Sequence, residues 1–567
     1  MLFHCTKGDC RFWGEGAAMP DACPRCGGAL TAGERAKMSG DDWCALGVFW
    51  MEQDGAEEKA VSCFRRAARL GSGWGACNLG LCLEQGTGIE ADPRQAVWLY
   101  QQAAEMGSLP ALCNLAVCYE EGIGIPPDPR QAVELYRRAA EYGSTRAQRL
   151  LARCCDRGIG MEQRDPARAV EWLRMAALQG DSACQTLLAK HYEFGDGVEL
   201  DPELAVRWYR HAAEGGEPEA KCCLGWLMEH GKWVDRDPEG AVELYRQAAE
   251  AGSVRALLLL ADCLLHGVGT QAAPELAVRC YEKGAELGSG SAMCSLGWCY
   301  ESGNGVEQSW EQAVLWYRRG AEAGDGQAMC NLAWCYETGS GVEQSWEQAV
   351  LWYRRGAETG SSRAMFHLGW CYEKGRGAAR DCLKAVEWYR RGAEAGSSGS
   401  MNNLAELLAK GEDVPQDLEQ AMEWYRRAAE QDNRYAWYNL GWYREQAGDL
   451  EQALECLRRA WALGEPAACW GLGRFYEAGT AVEQDLEQAF EYYQKGAELE
   501  DLNSLCRLAR CYALGIGTRK DREKASALAQ EILSRDWEES GELEDYGARA
   551  ELEALRALWK ELEPGEP

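Results

Sequence analysis

Residues 325–360 read DGQAMCNLAWCYETGSGVEQSWEQAVLWYRRGAETG, and this stretch decides the fold. Its first half predicts a helix over AMCNLAWCYETG, in which Leu332 and Tyr336 stand four apart and share a face. Gly339-Ser340-Gly341 marks its end, because glycine accepts the left-handed conformation that closes helices. Ser345, with Gln348 three residues on, reads as a capping box that starts a second helix. Ala349, Trp352 and Tyr353 begin the second apolar stripe. Two such helices cannot bury their own apolar faces, so neighbouring units must stack.

The same unit recurs outward in both directions. The small turn after the second helix falls at Gly71, Gly107 and Gly143, then at Gly180, and again at Gly216, Gly252, Gly288, Gly324, Gly360 and Gly396. Asp432, Gly464 and Glu500 continue the series, which gives fourteen repeats over residues 40–536. Elsewhere the second helix opens on Asp92, Asp128, Asp165, Asp201 or Asp237, each followed by Pro, the favoured cap and first helical residue. The run VEQSWEQAVLWYRRGAE is identical at 306–322 and 342–358, which points to duplication of one unit.

The pattern A-x-x-x-L-G-x-x-Y-x-x-G-x-G-V-x-x-D-x-x-x-A-x-x-W-Y-x-x-A-A-x-x-G resembles the Sel-1-like repeat, a longer relative of the tetratricopeptide repeat. It fits closely in 108–143, 289–324, 325–360 and 361–396, while 436–460 looks like a plain tetratricopeptide unit. The resemblance implies an all-α fold, a right-handed α-α superhelix, and a scaffold or adaptor that binds a peptide or protein. Relatives described as β-lactamase-like keep a hydrolase as the alternative reading. No Ser here has Lys three residues later, however, and neither a G-x-S-x-G elbow nor a P-loop appears. The six histidines make no metal or triad spacing and read as surface or turn residues.

In arrays of this kind the first helices line the concave side, with the second, fifth, sixth, ninth and twelfth positions facing the groove. Here the ninth position is Trp226, Trp298, Trp334, Trp370 and Trp442, giving way to Arg153, Lys190, Arg474 and Arg510 nearer the ends. The sixth carries Ser295, Asn331, His367, Asn403 and Asn439. These residues form the candidate partner-binding groove, since Trp supplies broad contact and Asn pairs with peptide backbone. Packing of the same tryptophans between adjacent first helices is the competing reading. The twelfth-position glutamates Glu84, Glu120, Glu301, Glu337 and Glu373 read as a solvated acidic face or a site for a basic ligand. The Trp-Tyr pairs of second helices, such as Trp316-Tyr317, read as core.

Both ends depart from the array. Residues 1–39 carry Cys5, Cys10, Cys23 and Cys26; the second pair, Cys-Pro-Arg-Cys-Gly-Gly, resembles a zinc-ribbon or rubredoxin knuckle. Four thiolates suit a structural zinc ion, with iron as the other metal choice. Residues 537–567 are rich in carboxylates, yet Leu552, Leu555, Trp559 and Leu562 recur at helical spacing, which predicts an acidic capping helix.

Composition narrows the function classes. Ninety acidic against 60 basic residues, a formal charge of −30, argue against a nucleic-acid surface or binding to anionic membranes. No basic start followed by an apolar run opens the chain, and no stretch is apolar enough to insert in a membrane, so the expectation is a cytoplasmic protein. The 27 cysteines then read as reduced, mostly buried filler outside the four metal candidates. A zinc- or thiol-dependent redox sensor is the third functional reading.

Overall fold

The computed structural model describes residues 38–535, 537 and 547–562, together with three short N-terminal strands, Leu2–Cys5, Trp13–Glu15 and Leu30–Ala32. The first strand is central, and the other two pair with it antiparallel. From Gly40 to Ser534 the chain is helical hairpins, as the 36-residue period predicts. They fall into two compact units, Met1–Cys280 and Tyr281–Pro567, each a stack of sequential hairpins.

The unit at 325–360 shows why these residues form these elements. Asp325 caps helix Gly326–Thr338 by accepting from the Ala328 N–H at 2.7 Å. Gly339 (φ 77°) closes it, donating to the Cys335 carbonyl. The second helix, Trp346–Glu358, starts at Ser345, whose Oγ accepts from the Gln348 N–H at 3.3 Å. The predicted capping box is only half formed, because Ser345 Oγ donates to Glu347 rather than Gln348 returning to the cap backbone. The Asp-Pro starts behave as expected, with Asp92, Asp128, Asp165, Asp201 and Asp237 all capping a helix whose first residue is Pro.

The core repeats with the sequence. In the second helices Tyr317, Tyr353 and Tyr389 are fully buried, flanked by buried Ala and Val. Opposite Tyr317 and Tyr389 a glycine one residue after the first-helix Leu makes room for the ring, and a Cβ at Gly297 would sit 2.5 Å from Tyr317; Ala333 holds that position in the Tyr353 unit. The neighbouring tryptophans, which the sequence reading made core, are only partly buried, with Trp352, Trp388 and Trp424 packed against the core clusters. Adjacent helical residues point about 100° apart, so with Tyr directed straight inward the Trp beside it falls at the edge of the buried face. Trp316, Trp352, Trp388 and Trp424 lie half-buried instead, each under the guanidinium of Arg319, Arg355, Arg391 or Arg427 at 4.7–4.9 Å.

Repeats are also locked together through backbone. The second glycine of the G-x-G turn lies against the first residue of the preceding second helix, and a Cβ at Gly341 (φ 71°) would come within 2.5 Å of the Trp310 carbonyl. At the end of the second unit, helix Ala548–Leu562 packs Leu552 and Leu555 against Leu502, Cys506 and Ile532. Its Glu551 accepts from Arg507 Nε at 2.8 Å and from Trp470 Nε1 at 3.3 Å.

Candidate functional site

First helices of successive repeats touch one another within each unit, for example Gly290–Ser302 with Gly326–Thr338 and the latter with Ser362–Lys374. The ninth position of these helices lies off the Leu-Tyr stripe. Trp298 is 41 % exposed, whereas Trp334, Trp370 and Trp442 are half-buried. Each of the latter three rests on a second tryptophan: Trp334 on Trp310 at 5.7 Å between ring centroids, Trp370 on Trp346 at 5.9 Å, and Trp442 on Trp470 at 6.1 Å. Trp310 and Trp346 are the first residues of the preceding second helices, so these pairs join one repeat to the next. In the first unit Trp226 is half-buried and stacked on His230 at 4.4 Å.

The sixth-position amides are engaged within the array. Asn331 Nδ2 donates to Cys294 Sγ of the preceding repeat at 3.5 Å, and Asn78 and Asn114 reach Cys44 and Cys77 in the same way. Asn403 donates to the Tyr389 hydroxyl at 3.1 Å, and Asn439 to Asn402 at 3.1 Å. Ser295 is half-buried. His367 lies flat on Tyr353, 4.9 Å between ring centroids; burial and the Arg363 charge push its pKa down to about 4, so the ring is neutral near pH 7.

The twelfth-position glutamates have a role the sequence reading missed. In eight repeats the buried second-helix tyrosine donates its hydroxyl to this carboxylate at 2.5–2.9 Å, from Tyr100–Glu84 to Tyr493–Glu477. Glu120 and Glu373 keep only 14 % and 17 % of their side-chain exposure, so the row is not a solvated face. The constant separation of 16 residues between Glu and Tyr was the available signal. Burial, with Glu337 beside it, drives the Tyr353 phenol far above its ordinary pKa, keeping it a donor. The cations at the array ends are paired as well: Arg153 with Glu120 at 2.6 Å, Lys190 with Glu219 at 2.8 Å, Arg474 with Glu445 at 2.7 Å and Arg510 with Glu551 at 3.8 Å.

Among the described cysteines none forms a disulfide, and all but Cys280 are buried. Burial pushes Cys330 up to about 11 and Cys335 to about 12, which suppresses thiolate at neutral pH. Of the four metal candidates, Cys10, Cys23 and Cys26 lie outside the described residues, and only the backbone of Cys5 is described. Besides half-buried His367, His191 departs from the surface reading: it is buried between Asp156 and the Asp196 carbonyl.

Fourteen segments of the chain, from 38–72 to 502–530, match the Sel1 repeat. The chain belongs to the Sel1 repeat family. Among solved structures, this Sel1 repeat protein is similar to c5321, a protective antigen of uropathogenic Escherichia coli strains displaying an SLR fold. The two are 33 % identical over 76 % of this chain and 94 % of that one, with a TM-score of 0.47. A Sel1 repeat protein from Oxalobacter formigenes is 33 % identical over 40 % of this chain and 90 % of its own, with a TM-score of 0.37. Yeast Tom70 is 13 % identical over 86 % of this chain and 96 % of its own, with a TM-score of 0.30. Comparison with curated proteins gives no match. Sel1 repeats in general build protein-interaction scaffolds and are generally not enzymes. No helix among the described residues is long and apolar enough to cross a membrane.

Proposed function

We propose that this Sel1 repeat protein is a non-catalytic scaffold that holds an extended peptide or protein segment along the first helices of its second unit. The observation that carries this reading is Trp298, Trp334 and Trp370, which repeat at one helical position in three consecutive hairpins and keep part of their surface exposed, Trp334 and Trp370 while resting against the core. Two of them are braced by Trp310 and Trp346, which restricts their rotamers before binding and lowers the ordering cost on association. Their indole faces supply apolar contact area and their edges hydrogen-bond donors, the usual composition of a hot spot. The buried, proton-holding thiols disfavour the redox-sensor reading for the array cysteines.

The test compares proteins retained by the wild type and by the triple variant Trp298→Ala, Trp334→Ala, Trp370→Ala, identified by mass spectrometry. Loss of one defined partner from a variant with unchanged helical circular dichroism is expected, and unchanged capture overturns the reading. We assign Cys5, Cys10, Cys23 and Cys26 to one structural zinc ion in a cytoplasmic protein. Changing all four to Ser is expected to remove about one zinc per chain by elemental analysis.

A further inference from the structure

The repeat at 145–181 breaks the Tyr–Glu rule. Its acid is Asp156, one methylene shorter than Glu, and the tyrosine position is Leu173, fully buried and without a hydroxyl to donate. In the next first helix, Ser182–Phe194, the position held by buried Cys118, Cys154, Cys299, Cys335 and Cys371 in other repeats carries His191. The G-x-G turn that follows carries Asp196 between Gly195 and Gly197. Several departures from the repeat pattern therefore meet at one junction between two hairpins.

Their geometry is that of a donor set. His191 Nδ1 lies 2.7 Å from the Asp196 carbonyl oxygen, which can only accept, so Nδ1 carries the hydrogen. Nε2 points at Asp156 Oδ2 from 3.1 Å, and in the neutral ring that contact sets a lone pair against a carboxylate. The other oxygen, Asp156 Oδ1, is buried with no hydrogen-bond partner. Only 8 % of the His191 side chain is exposed, so water does not relieve the contact freely. Donor atoms of Asp156, His191 and Asp196 all lie within 4.8 Å of one another. Arg164 holds the arrangement from outside, donating from Nε to the Asp156 carbonyl at 2.6 Å and pairing with the Asp196 carboxylate.

We propose that Asp156, His191 and Asp196 form a binding site for a divalent cation of the zinc class, which bridges two adjacent repeats. A backbone carbonyl fixing one imidazole nitrogen so that the other is offered to an ion is the usual support of a histidine ligand. One nitrogen and two carboxylates suit zinc with an open position for water. The rival occupant is a proton. Burial lowers the affinity of His191 for it, but the Asp156 hydrogen bond, the Asp196 carbonyl and the two carboxylate charges outweigh that and raise the pKa. A cation on Nε2 excludes a proton from the same atom, so binding weakens as pH falls.

The test uses the full chain with Cys5, Cys10, Cys23 and Cys26 changed to Ser, so that N-terminal thiolates do not contribute. Zinc is titrated at about pH 8, and bound metal is measured after gel filtration. About one zinc per chain and a raised melting temperature are expected, with loss of both in His191→Leu. Leu occupies the same helical position at Leu227 and Leu407, so that variant is expected to fold. Asp196→Asn is expected to weaken binding by about 10- to 100-fold. Equal zinc retention by the His191→Leu chain overturns the proposal. So does the absence of zinc from the parent, which would leave His191 as a structural partner of Asp156 and the Asp196 carbonyl.

Discussion

Tyr353 and Glu337 face each other across one hairpin at 2.6 Å, and the residues around them show what the contact requires. Where the tyrosine is absent the acid is absent or re-partnered: the first repeat pairs Phe64 with Met51, and Asp156 turns to His191. Tyr353→Phe keeps the ring but strips Glu337 of a donor, and is expected to destabilise the second unit by about 1–3 kcal/mol. The shift of its urea midpoint relative to wild type measures this; no shift would mean that water replaces the hydroxyl without loss. His367, stacked on the same ring, gives a pH prediction. Its folded pKa of about 4 lies below the ordinary 6.5, so the unfolded chain takes up the proton first. Stability from this residue is complete above about pH 6.5 and is lost as pH falls towards 4, by about 1–3 kcal/mol. His367→Asn, the residue found at Asn331 and Asn403, should flatten that part of the stability-against-pH curve.

The decisive element is the turn between the two helices of a hairpin. Its first glycine chiefly needs a left-handed backbone, as at Gly339, where a Cβ would come no nearer than 3.3 Å to Gln344, whereas the second also needs an absent side chain, as at Gly341 over the Trp310 carbonyl. Gly324 supplies the control, since its φ is 88° but a Cβ added there would meet nothing within 4 Å. Gly324→Ala is expected to cost about 1 kcal/mol from backbone strain alone. Gly341→Ala adds a collision with the neighbouring hairpin and should cost at least about twice that, read as a larger fall in melting temperature. Equal losses would show that the hairpins yield at this junction. The turn was legible as a helix end because glycine spacing is a local signal. Its second role was not, because the partner carbonyl lies about 30 residues earlier and comes near only once hairpins stack.

Across the whole molecule, stabilisation is divided among successive apolar clusters, such as the one from Cys330 to Cys456 and the one from Leu502 to Leu555. Each hairpin draws its burial from immediate neighbours, so unfolding is expected to proceed in parts. Urea denaturation followed by tryptophan fluorescence should give an apparent m-value well below that scaled to 567 residues, with a broad or multiple transition. A single steep transition of full size would instead show cooperativity reaching across hairpins. The period of Gly71 to Gly396 made this architecture readable, because every hairpin repeats the same local signals. The candidate site was less readable: the ninth-position tryptophans could be placed, but not their seating on Trp310 and Trp346, which depends on helices from different repeats. The glycine-to-carbonyl lock carries a further meaning for how such a chain changes length. Its socket is backbone and its plug is a missing side chain, so the fit does not depend on which side chains the neighbouring copy happens to carry. A copied hairpin brings both halves with it, and can be inserted or removed without designing a new joint, as the two identical runs at 306–322 and 342–358 illustrate.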